Sequence, residues 1–211
     1  MVTHGRDQHM YTDMYTDSES MQKTCDRFFL DLGKNPGTWW LSALRLKEGA
    51  DTLRNACWPK ERKHNDLDAA GADFRLGPVY MLLVGMAVEA ALKATLVAKQ
   101  TDLVSAERIS KSLTNHHLVK LWNLAGLGRP GSRQRDSLLD RLENCVVVFG
   151  RYPVSKTPDG MNKMMNSSFQ GQLHFDQVAR LWTYLETHVR KTIPELFNQI
   201  SGDSMLASRP K

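Results

Sequence analysis

The stretch Leu76-Gly77-Pro78-Val79-Tyr80-Met81-Leu82-Leu83-Val84-Gly85-Met86-Ala87-Val88-Glu89-Ala90-Ala91-Leu92-Lys93-Ala94-Thr95-Leu96 decides the fold, because it is apolar at almost every position and carries two charges, Glu89 and Lys93. A helix that is apolar nearly all round belongs in the middle of a bundle, and a four-residue offset sets Glu89 and Lys93 side by side on one face. Two ionisable groups are thereby taken into a core. Each loses several kcal/mol of hydration unless it is paired or hydrogen-bonded, so the pair marks either a structural lock or a site.

On the amino-terminal side, Met21, Cys25, Phe28, Phe29 and Leu32 recur at helical spacing between Ser18 or Ser20, which suit a cap, and Gly33, which suits a stop. Asn35-Pro36 then opens a second helix that carries Trp39, Trp40, Leu44, Leu46, Leu53 and Ala56 and ends near Trp58-Pro59. The charged and small-residue stretch from Lys60 to Asp73 reads as a surface loop. The apolar helix is expected from about Pro78 to Lys99.

On the carboxyl-terminal side, Ser105 to Ser112 is expected to form a short helix, and Leu118, Leu121, Trp122 and Leu124 another that Gly126 closes. Leu138, Leu139, Leu142, Cys145, Val146 and Phe149 predict a helix from Arg135 to Phe149. Pro153 and Pro158 stop helix formation after Gly150. A last helix, from about His174 to Ile200, presents Phe175, Val178, Leu181, Trp182, Leu185, Val189, Ile193, Leu196 and Phe197, with Pro194 late in it as a bend or an end.

No segment alternates with a period of two, so the reading is all-α: an antiparallel helical bundle. Residues 1–17, with the near-repeat Met10-Tyr11-Thr12-Asp13 and Met14-Tyr15-Thr16-Asp17, read as a flexible amino-terminal arm. Residues 18–200 read as one bundle domain and 201–211 as a flexible tail.

The chain of 211 residues has a net charge of +5, which favours polyanions, although the basic residues are spread out. Cys25, Cys57 and Cys145 have no CxxC spacing and read as reduced thiols. No signal-peptide pattern appears at the amino terminus, and the longest uncharged apolar run is too short to span a bilayer, so a cytoplasmic protein without membrane attachment is expected. The sequence holds no Walker loop, dinucleotide fingerprint, HExxH or GxSxG. His174 and His188 share a helix face without an evident third ligand, and neither a metal nor another cofactor is expected. Asp136, Asp140 and Glu143 fall on what reads as the wet face of their helix.

The polar residues expected to join Glu89 and Lys93 are His116 or His117, at the start of a short helix, and Arg151, just past the end of another. Such a network can simply fix helix register. Alternatively, it can bind or cleave a phosphodiester: metal-free RNA cleavage needs one group to take the 2′-hydroxyl proton, another to protonate the leaving oxygen, and a cation at the phosphorane.

Val88-Glu89-Ala90-Ala91-Leu92-Lys93-Ala94, then His116-His117-Leu118-Val119-Lys120-Leu121, then Leu138-Leu139-Asp140-Arg141-Leu142 leading to Gly150-Arg151-Tyr152-Pro153-Val154, resemble the HEPN superfamily of helical domains. The resemblance covers about residues 76–155 and is nearest to bacterial members with a Glu-x-x-x-Lys helix and a Gly-Arg-Tyr-Pro ending. It implies an antiparallel bundle, often a homodimer, and frequently a metal-independent ribonuclease of toxin–antitoxin or phage-defence systems, with RNA and an antitoxin-like protein as partners. It further implies His116 and Arg151 as the catalytic positions, with Glu89, Lys93, His117 and Tyr152 in the surrounding polar cluster. The family's usual signature, Arg followed after four to six residues by His, is absent: Arg151 is followed by no histidine before His174. The alternative from another class is a non-catalytic module for a protein partner or self-association, with a purely architectural polar core.

Overall fold

The computed structural model describes residues 18–58, 67–105, 108–128, 133–149 and 175–197. Six helices occupy most of these: α1 (Ser18–Lys34), α2 (Pro36–Cys57), α3 (Leu67–Lys99), α4 (Leu118–Leu124), α5 (Arg133–Asn144) and α6 (Phe175–Thr192). The described residues form no strand beyond one isolated antiparallel bridge between Val104 and Ile109. The protein is all-α. The expected amino-terminal arm, the carboxyl-terminal tail, Arg151 and Tyr152 lie outside the described residues.

Asn35 separates α1 from α2 and caps the latter. Its Oδ1 accepts the Gly37 backbone N–H at 2.8 Å, and Pro36 occupies a first-turn position where its missing donor leaves nothing unpaired. Trp39 Nε1 donates back to the Gly33 carbonyl at 2.9 Å, fastening the end of α1 to the start of α2. Gly33 lies so close to Val104 that a Cβ there would come within 2.9 Å of Cγ1. At the far end of α2, the Trp58 backbone N–H donates to the Arg54 carbonyl at 2.7 Å and closes the helix.

The axis of the protein is α3, which packs against α2, α6, α4 and α5. It begins at Leu67 rather than Pro78, so part of the expected surface loop is helix. Ala69, Ala70 and Ala72 are strong helix formers, and their propensity outweighs the one hydrogen bond that Pro78 removes. By length and composition Leu76–Lys99 could cross a membrane; inside this protein 72% of its most apolar window is buried. Tyr80, packed edge-on against Trp58 and Phe175, is buried enough to push its phenol up to about 12, with Arg54 opposing the shift.

Gly85 lets α5 approach α3. A Cβ at this position would meet Val146 Cγ2 at 2.6 Å and the Leu142 carbonyl oxygen at 3.0 Å, so only a residue without a side chain fits. Here the expected uniform helix of residues 135–149 departs from expectation in two ways: it starts at Arg133, and it widens into a π-helical turn over Cys145–Phe149. The extra residue in that turn locally rephases the helix against α3.

Among the described residues of the expected helix from Ser105 to Ser112 none is helical. Ser105 Oγ donates to the Arg108 carbonyl at 3.2 Å and accepts the Arg108 N–H, while Ser110 and Ser112 hydroxyls bond one another at 2.9 Å. Serines that satisfy local backbone groups in this way compete with the helical ladder and here win. The last helix also stops early, with a break at Ile193 before helical geometry resumes over 194–197, because Pro194 has no N–H for the carbonyl four residues back.

Candidate functional site

Glu89 and Lys93 face outward from α3 into the packing between it and its neighbours, 9% and 5% exposed respectively. Lys93 Nζ donates to Glu89 Oε1 at 2.5 Å and lies 5.8 Å from the centroid of the Trp39 ring. The ammonium is thus held by a carboxylate on one side and an aromatic face on the other, which replaces part of its lost hydration.

The third member comes from the segment between the Val104–Ile109 bridge and α4. Leu113 and Leu118 are both buried in the core and hold the chain on either side of His116. Asn115 Oδ1 accepts the His117 N–H at 2.9 Å, forming an Asx turn that sets the direction of the chain into α4. His116 Nδ1 consequently lies 3.1 Å from each carboxylate oxygen of Glu89. A carboxylate only accepts, so Nδ1 is the donor. The series Lys93, Glu89, His116 runs outward from the core to an imidazole whose side chain is 34% exposed. An imidazole oriented by a carboxylate in this way can exchange a proton with a bound molecule.

His117 does not join this cluster. Its Nδ1 donates to Glu143 Oε1 of α5 at 2.7 Å, and its side chain is 64% exposed. With Lys120, Asn123 and Asp140, this pair lines an open groove of about 560 Å³ between α4 and α5. The expectation of His116 or His117 beside Glu89 resolves in favour of His116.

Glu143 was expected only on a wet helix face; nothing in its sequence spacing singles it out as a partner for His117. His188, expected to share a helix face with His174, which lies outside the described residues, also has a defined setting. Burial of the His188 ring, then the Lys99 ammonium and more weakly Lys191, hold its imidazole below the ordinary value, against a hydrogen bond to the Ala125 backbone. Lys99 Nζ donates to that same Ala125 carbonyl at 2.5 Å. Among the described residues no group of His, Cys, Asp and Glu is arranged to hold a metal. Compared with protein-family models, curated proteins and solved structures, the chain matches none.

Proposed function

We propose that this chain is a HEPN-like antiparallel helical bundle that engages RNA at the Glu89–Lys93–His116 cluster and cleaves it without a metal, in a toxin or phage-defence setting. The observation that supports this reading is the Nδ1 of His116 at 3.1 Å from both oxygens of a carboxylate that is itself anchored by a buried ammonium. The arrangement fixes an imidazole at the border of core and solvent, where it can take the proton of a 2′-hydroxyl. Arg151, the position matched by the family resemblance, is assigned the phosphate contact, and the net charge of +5 favours a polyanionic substrate.

The test is cleavage of single-stranded RNA by the full chain and by His116→Ala and Arg151→Ala. Each variant should lose cleavage by ~10²-fold or more while melting within a few degrees of the parent, as expected for a residue acting in proton transfer or charge stabilisation rather than in packing. Absence of cleavage by the parent protein overturns the reading.

The second reading, a non-catalytic interaction module, is favoured by α1. Met21, Phe28 and Leu32 on this helix are 72%, 62% and 51% exposed, an apolar row presented to solvent. An inactive parent protein that self-associates through these residues, or captures a protein partner with them, is the outcome this reading expects.

A further inference from the structure

Metal-free phosphodiester cleavage needs two proton-transfer groups, because attack and departure occur on opposite sides of the phosphorus and one imidazole cannot serve both. The residue next to His116 in the chain is a second histidine, and it is held in the same manner by a different carboxylate. His116 is bound to Glu89 of α3 and His117 to Glu143 of α5, so the two rings diverge from one stretch of backbone. The extended geometry of His117, φ −79° and ψ 102°, accounts for that divergence, since successive side chains of an extended chain point to opposite sides.

We propose that His117 is the general acid of the RNA cleavage assigned above, protonating the leaving oxygen while His116 acts as the base; this rests on that reading. The 2′-hydroxyl proton passes to the His116 imidazole as the 2′-oxygen forms its bond to phosphorus. The P–O5′ bond then breaks, and the departing 5′-oxygen takes the proton from Nε2 of protonated His117. The products are a 2′,3′-cyclic phosphate and a 5′-hydroxyl. Glu143, by holding Nδ1–H at 2.7 Å, leaves Nε2 as the nitrogen that delivers the proton. The ring forms one wall of the open groove, where Lys120 and Asn123 supply a cation and an amide to a polynucleotide backbone beside the Asp140 and Glu143 carboxylates.

The experiment compares two substrates on the parent chain, His116→Ala and His117→Ala. One is single-stranded RNA; the other is uridine 3′-(4-nitrophenyl phosphate), whose nitrophenolate leaves without being protonated. His117→Ala should lower RNA cleavage by ~10²- to 10⁴-fold, the usual contribution of a general acid, and leave nitrophenyl ester cleavage within a few-fold of the parent. His116→Ala should depress both substrates. Equal loss on both substrates in His117→Ala, or no loss on RNA, overturns the assignment while leaving the ribonuclease reading intact if the parent cleaves and His116→Ala does not. A parent that cleaves neither substrate removes both.

Discussion

His116 and His117 are neighbours in sequence, each with Nδ1 on a glutamate, and yet they belong to different physical regimes. The carboxylate under His116 is 12% exposed and shared with a lysine that is 6% exposed, whereas the pair of His117 and Glu143 is 64% and 22% exposed. In water the attraction between such groups is screened and offset by the entropy of holding two side chains, so the outer pair contributes roughly 0–1 kcal/mol. In the core the same contact has no water to fall back on. Breaking it leaves a charge without hydration or partner, which is where energies of several kcal/mol arise. The difference shows that a contact's chemical identity says little about its weight until its depth is known.

The largest effect expected from this contrast is at Glu89. Glu89→Ala strands the buried Lys93 ammonium and removes the acceptor of His116. Equilibrium denaturation should show a loss of ~3–5 kcal/mol, the range for removing one partner of a buried ion pair. The double variant Glu89→Gln with Lys93→Met should recover a large part of it, because no uncompensated charge then remains. A single variant as stable as the parent would place the pair in a wetter environment than the packing around α3 implies.

An intermediate effect tests how the two pairs are spaced. Gly85 lies one turn before Glu89, and its missing side chain admits the backbone at Leu142, the residue before Glu143. Gly85→Ala would drive a methyl into Val146 and the Leu142 carbonyl, and overpacking of this kind destabilises by ~1–3 kcal/mol. The expected result is a drop in denaturation midpoint, together with loss of the His117–Glu143 contact as α5 is displaced, read from the His117 ring signals in NMR. Since Glu89 and Lys93 share one helix, their ion pair should survive. Disruption of both pairs together would show that α5 supports the inner cluster as well.

Much of this organisation is legible in the sequence where a single helix contains its own explanation. Glu89 and Lys93 four apart in an apolar run specify a buried pair, and Asn35-Pro36 specifies the start of α2. Legibility ends where the deciding interaction is between distant segments or between competing local ones. Glu89 and His116 are separated by 27 residues, and what brings them together is the burial of Leu113 and Leu118 on either side of the histidine. Between 105 and 112 a short helix is expected from the sequence, whereas hydroxyl-to-backbone bonds from Ser105 accompany a bridge instead. In α1 the periodicity of Met21, Phe28 and Leu32 correctly marks a helix, although the stripe it draws faces solvent. Amphipathic periodicity establishes that a helix has two faces; which one a neighbour covers depends on the rest of the fold.

The smallest effect concerns the third histidine, which sharpens the comparison by reversing its sign. His116 and His117 face carboxylates, whereas His188 is held among the Lys99 and Lys191 ammoniums, and burial is the main cause that disfavours its charged form. Its Nε2 is buried and, among the described residues, has no hydrogen-bond partner, so a proton added there meets no acceptor. In the unfolded chain the ring binds its proton near its ordinary pKa of 6.5; in the folded chain it does so only at lower pH. Above that ordinary value both states are neutral and nothing is lost. As pH falls below it the unfolded state gains protons first, so stability must fall with it. The melting temperature of the parent should therefore decline by a few degrees more than that of His188→Gln between neutral pH and the region below 6, with the two curves parallel above pH 7. Parallel curves throughout would mean that α6 shifts enough on protonation to give the imidazolium water, and that the Ala125 carbonyl, shared with Lys99, does not fix its position.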